Sequence, residues 1–127
     1  MDAIKRIRNG EYMKVTEILK QDKTTISFEV FPPKKDTDFA DVEAAATSIA
    51  ELNPSYMSVT YGAGGSTKGL TIKLAEGIQN KYNVPTIAHL TCVCADKAGI
   101  SQALEDMKTA GIKNILALRG DIPKDYA

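Results

Sequence analysis

Three shortages bound what this sequence can be. Thiol and imidazole are scarce: two cysteines, Cys92 and Cys94, and one histidine, His89, among 127 residues. A structural metal site gathers several Cys or His ligands, so none is expected here. The two thiols, one residue apart, read as reduced and mostly buried. Charge of one sign is not in excess: sixteen basic residues balance sixteen acidic ones. That speaks against nucleic acid or an anionic membrane as the main partner. Long apolar runs are missing too. Nothing approaches the roughly 20 residues of a membrane helix, and MDAIKRIRNGEYMK has no apolar core of signal-peptide length. A cytoplasmic protein is expected. With 43% hydrophobic and 25% charged residues, the chain has the composition and length of one ordinary globular domain.

What is present is a repeating pattern. Residues 1–23 are polar, with a weak helical spacing at Val15, Ile18 and Leu19, and read as an N-terminal helical extension. From residue 24 onward, strands and helices alternate. TTISFEVF is rich in β-branched and aromatic residues and predicts a strand. Phe39, Val42, Ala46 and Ile49 recur at helical spacing until Asn53-Pro54. YMSVTY (56–61) predicts the next strand, followed by the loop GAGGST and a helix with Leu70, Leu74 and Ile78 on one side. TIAHLTC (86–92) is the third strand. Ile100, Ala103, Leu104 and Met107 mark the third helix, with Gly111 placed to end it. NILALRGD (114–121) is the fourth strand. No hairpin turn is expected between any two of these strands, so the pattern predicts βαβ units and a parallel sheet. The strands are apolar on nearly every residue, as in sheets covered on both faces.

Polar residues interrupt these strands late in each. Glu29, Thr60, His89 with Thr91, and Arg119 with Asp121 follow one another at intervals of 31, 29 and 30 residues. In parallel α/β folds the C-terminal strand ends share one edge, where active sites form. Alternation puts Ile26, Phe28 and Val30 on one face and Ser27 and Glu29 on the other. Taken singly, these residues leave bland readings open. Glu29 suits a structural carboxylate paired with a basic residue, and His89 a satisfied core histidine. Arg119 and Asp121 suit an ion pair with each other, and Tyr61 suits packing. GAGGST lacks the lysine of a P-loop and is not GxGxxG, so by itself it is a βα loop.

Four segments together are more specific. FEVFPP resembles the FEFFPP of the methylenetetrahydrofolate reductases, and SVTYGAGG, AHLTC and ALRGDIP are similar to further motifs of that family, in the family's order and spacing. They span residues 26–123. The resemblance implies a flavin-dependent (β/α)8 TIM barrel that reduces 5,10-methylenetetrahydrofolate to 5-methyltetrahydrofolate. It implies FAD as cofactor, with FMN still open, and NADH or NADPH as electron donor. It places Glu29 as the acid that protonates the folate as its methylene bridge opens to an iminium, which then takes hydride from the flavin. Thr60, Tyr61, Ala63, His89, Arg119, Gly120 and Asp121 fall where the family contacts its flavin. Thr60 also matches a nicotinamide contact, and Asp121 also faces the folate.

A carboxyl group acting as general acid has to keep its proton near neutral pH, which a site poor in water favours. Glu29 is expected to project into such a barrel mouth. The two prolines after it fix the chain's exit from the strand. Arg119 suits a diphosphate, and Asp121 a flavin or a pterin amide. A whole barrel takes about 250 residues, so residues 24–127 correspond to its N-terminal half, the first four strands. An open half-barrel exposes an edge and an apolar inner face, which predicts a homo-oligomer or association through that edge. The rival reading is an inactive or partner-completed half-barrel that binds flavin weakly or not at all.

Overall fold

A computed structural model of the chain describes residues 4–62 and 67–125. Two short strands, β1 (Ile7–Arg8) and β2 (Glu11–Tyr12), pair antiparallel and precede a single helical turn, α1 (Val15–Ile18). The remainder alternates: β3 (Ser27–Val30), α2 (Phe39–Ala50), β4 (Tyr56–Val59), α3 (Lys68–Tyr82), β5 (Thr86–Thr91), α4 (Lys97–Thr109) and β6 (Asn114–Leu118). A 3-10 turn at Asp36–Asp38 leads into α2. No helix among the described residues is long and apolar enough to cross a membrane.

The four later strands form one parallel sheet in the order β3-β4-β5-β6. Sequential order with a helix in every connection is the pattern of successive βα units. It is consistent with part of a barrel. Each of the three later helices ends near a residue in the left-handed region. Asn53 (φ 61°) follows α2, Asn83 (φ 55°) ends α3 and Gly111 (φ 74°) follows α4. Asn and Gly enter that region at the lowest cost. Pro54 and Pro85 then stand within two residues of the starts of β4 and β5, where a helix cannot continue.

The strands contribute Val30, Met57, Val59, Ala88 and Leu90 to the core, against Phe39, Ala46, Leu74, Ile78, Ala103 and Met107 of the helices. These strand residues alternate along their strands, so they mark a single face. The other face carries Ser27, Glu29, Ser58, Ile87, His89 and Leu116 in register. The expectation of a sheet covered on both faces is therefore corrected. One face is packed, and Leu116 and Leu118 on the other are 43% and 39% exposed.

The N-terminal segment also differs from expectation. It is a hairpin and one turn of helix, because Asn9 (φ 53°) and Gly10 (φ 78°) both take positive φ. Asn-Gly is the preferred pair for a two-residue hairpin turn. Nor does the segment lie loosely outside the fold. It packs where β4, β5 and β6 begin. Arg6 donates to the Pro54 carbonyl (3.1 Å), Tyr12 Oη to the Gln79 carbonyl (2.8 Å), and the Val15 amide to Asn114 Oδ1 (2.9 Å). Met13, Val15 and Ile18 are buried. The segment thus closes the end of the sheet opposite the strand C-termini.

If this plug is part of the core, Ile18→Ala should lower unfolding stability by about 2–5 kcal/mol. Urea denaturation would show it as a lower midpoint at unchanged slope. A loss under about 1 kcal/mol would mean that the plug is peripheral.

Candidate active site

Parallel pairing brings every strand C-terminus to one edge, and the polar interruptions of the sequence meet there. Glu29 stands opposite Ser58 in the β3–β4 register. Ser58 Oγ donates to Glu29 Oε2 at 3.1 Å. His89, on β5, lies two residues beyond Ile87, the register partner of Ser58. Its Nε2 is 3.4 Å from the same Glu29 oxygen. Three neighbouring strands therefore each supply one member of a Glu29–Ser58–His89 cluster. The imidazole is buried, with 9% of its side chain exposed, whereas 48% of the Glu29 side chain is exposed. The expected site poor in water is thus not seen around Glu29, because no described element covers the inner face of β3.

The second group lies at the ends of β4, β5 and β6. Tyr61, Thr91, Leu118, Arg119, Gly120 and Asp121 line a cleft of about 510 Å³. The cleft adjoins the first cluster through β5, where His89 and Thr91 share a face two residues, or about 7 Å, apart. Burial raises the Tyr61 hydroxyl above its ordinary range; nearby Lys68 partly offsets this. Lys68 is itself held by Asp106 (2.7 Å). Tyr61 therefore stays a neutral hydrogen-bond donor. Arg119 donates from Nε to the Gly120 carbonyl (3.0 Å). Among the described residues no ion pair joins Arg119 to Asp121, so that bland reading is not the one seen. Arg119 and Asp121 are both exposed, and their opposite charges stand open to a ligand.

Thr60 continues the face of Ser58, and its amide donates to the Val30 carbonyl (3.0 Å). The loop after it is tied at its stem. The Gly62 amide donates to Thr67 Oγ1 (2.6 Å) and Thr71 Oγ1 to the Thr60 carbonyl (2.9 Å). Ala63 lies outside the described residues. The thiols depart from expectation. Cys92 is half-buried and Cys94 exposed at φ 61°: backbone bonds to Leu118 and Arg119 hold the chain as far as Val93, and it turns away at Cys94. Ser58 was missed as a site residue. Its signal was present, since it lies two residues before Thr60 and so on the same face of a strand.

Gly120 shows why a glycine stands in the cleft wall. Its φ is +85°, and a Cβ there would collide with Thr91 Cγ2 and stand 2.8 Å from Val93 Cγ1. Backbone packed this closely on two side chains admits no side chain larger than a hydrogen.

Known proteins resemble this chain over most of its length. The family model described as methylenetetrahydrofolate reductase matches residues 14–127. The chain is 39% identical over 110 residues to "Methylenetetrahydrofolate reductase (NADH) 1" of Arabidopsis thaliana, covering 87% of this chain and 19% of the plant protein. It is 44% identical over 98 residues to "Methylenetetrahydrofolate reductase 2" of Schizosaccharomyces pombe, covering 76% and 15%. It is 30% identical over 105 residues to "5,10-methylenetetrahydrofolate reductase" of Pectobacterium carotovorum subsp. carotovorum, covering 83% and 35%. The chain thus spans about a fifth of the plant relative and about a third of the bacterial one.

Two glycine variants separate conformation from contact. Gly111→Ala, at φ +74° with nothing near its added Cβ, should cost about 1–2 kcal/mol, the penalty of the left-handed region. Gly120→Ala should cost about 1–3 kcal/mol more through overpacking. Equal losses in chemical denaturation would mean that the approach of Thr91 and Val93 does not constrain the cleft.

Proposed function

The chain belongs to the methylenetetrahydrofolate reductase family, and on that premise we propose that it carries the N-terminal half of a flavin-dependent catalytic barrel. The reaction is reduction of 5,10-methylenetetrahydrofolate to 5-methyltetrahydrofolate. The observation that carries this reading is the Glu29–Ser58–His89 cluster beside a cleft lined by Tyr61, Arg119, Gly120 and Asp121. Residues 24–127 form the barrel half, and the hairpin and helical turn before them close its lower end.

The cleft residues fit a flavin. Arg119 has no carboxylate partner among the described residues and suits a diphosphate. Tyr61 offers a phenolic donor. Asp121 suits a flavin or pterin N–H, and Gly120 lets a flat ring approach the backbone. Thr60, Ala63 and His89 complete the contacts we assign to FAD, and Thr60 also to the nicotinamide. NADH, in the names of the plant relatives, is the donor we favour over NADPH. When bound, reduced flavin supplies the hydride. The chain's own part is the proton. Glu29 gives it to the folate as the methylene bridge opens, and Asp121 helps to orient the pterin. An acid exposed on the inner face can reach a substrate lying across the strand ends.

The uncovered face supports a second reading. Leu116 and Leu118 on β6 and Phe31 after β3 are large, apolar and 39–68% exposed. Both outer strands are unpaired on one side among the described residues. Such edges associate, so a second copy or a complementary half-barrel would complete the site.

Glu29→Gln tests the assignment. Folate reduction should fall at least about a hundredfold, the usual share of a general acid, while flavin stays bound and reducible. Turnover near wild type would remove Glu29 from the acid role. A visible spectrum of the chain with its mass in solution separates the two readings. Near-stoichiometric flavin bands from a single chain favour a self-sufficient site. Colour only in a larger assembly favours completion by a partner.

A further inference from the structure

We propose that Ser58 and His89 are positioning residues that hold the Glu29 carboxyl group by one oxygen, so that the other oxygen faces the substrate. This inference rests on the reductase reading for its catalytic meaning and on the geometry for its contacts. Ser58 Oγ donates to Oε2 at 3.1 Å, and His89 Nε2 lies 3.4 Å from that same atom. No hydrogen bond from a described residue reaches Oε1.

The arrangement is imposed by the sheet. Glu29 and Ser58 are register partners, so their side chains leave adjacent backbones on one face. His89 is set one pleat further along β5 and reaches back diagonally. It is buried while Glu29 is half open, so the ring is the fixed wall and the carboxyl group the part that leans on it. A glutamate with three free torsions would otherwise spread over several rotamers.

The chemical consequence follows from where charge appears. As the acid acts, the Oε1–H bond breaks and a new N–H bond forms on the folate. The electron pair of the broken bond stays on the carboxyl group. The resulting negative charge is shared by both oxygens, and Oε2 already meets the Ser58 hydroxyl, with the imidazole Nε2 3.4 Å away. Donors placed before charge develops stabilise it without reorganisation. Hydrogen bonds to a charged acceptor are also stronger than neutral ones. Ser58 and His89 thus act through Glu29 and need not touch the substrate in this role.

The single histidine makes the contact directly observable. Nitrogen-15 spectra of the chain contain one pair of ring signals. Glu29→Gln and Ser58→Ala should each displace the Nε2 signal, and Ser58→Thr, which keeps the hydroxyl, should return it toward wild type. In turnover, Ser58→Ala should lower kcat about tenfold or more at unchanged KM, with recovery in Ser58→Thr. A dispersed amide spectrum checks that each variant is folded. An Nε2 signal identical in Glu29→Gln and wild type would overturn the inference whatever the turnover. So would full kcat in Ser58→Ala when Glu29→Gln is inactive. A displaced Nε2 signal with wild-type turnover in Glu29→Gln would sink the reductase reading and leave the contact standing.

Discussion

Everything at the candidate site depends on the parallel backbone ladder of β3, β4, β5 and β6. Parallel strands cannot be joined by a tight turn, so each connection must climb back along the sheet, and here each does so through a helix. All four strands then end at one edge. The register sets which side chains meet there. Glu29 faces Ser58, Ser58 faces Ile87, and His89 faces Leu116. A shift of one residue in any pair would turn a polar member of the cluster into the packed face.

The same ladder divides the molecule chemically. Val30, Met57, Val59, Ala88 and Leu90 turn toward the helices and are buried. Their neighbours turn the other way and carry the chemistry. One face supplies most of the hydrophobic stabilisation, which leaves the other free to hold a carboxylate, a hydroxyl and an imidazole that contribute little to folding. His89 and Thr91 are nonetheless 7% exposed each, because β5 lies between two strands whereas β3 and β6 are edges. Exposure on the inner face thus follows position in the sheet rather than residue type.

Most of the architecture was legible in the sequence. Alternating strand and helix periods, with a polar residue late in each strand, indicated parallel βα units and the shared edge. Four motifs in register indicated the family. The N-terminal hairpin was less visible, although Asn9-Gly10 is a recognised turn pair. Strands of two residues carry no periodicity, and Val15, Ile18 and Leu19 imitate a longer helix. Cys92 and Cys94 read as core thiols because their run looked like strand to its end. The chain instead leaves the sheet after Val93, where Cys94 takes a left-handed backbone.

The sequence by itself determined which residue types stand at the ends of the strands, since side-chain alternation and helix periodicity are local properties of the chain. Only the tertiary structure decided which of them touch. Ser58, Glu29 and His89 are separated by about thirty residues each in the chain, and their meeting at one carboxyl oxygen comes from strand register. The exposure of Glu29 was likewise decided in three dimensions. Burial depends on what packs across a face, and the pattern along a strand records only which face a residue occupies.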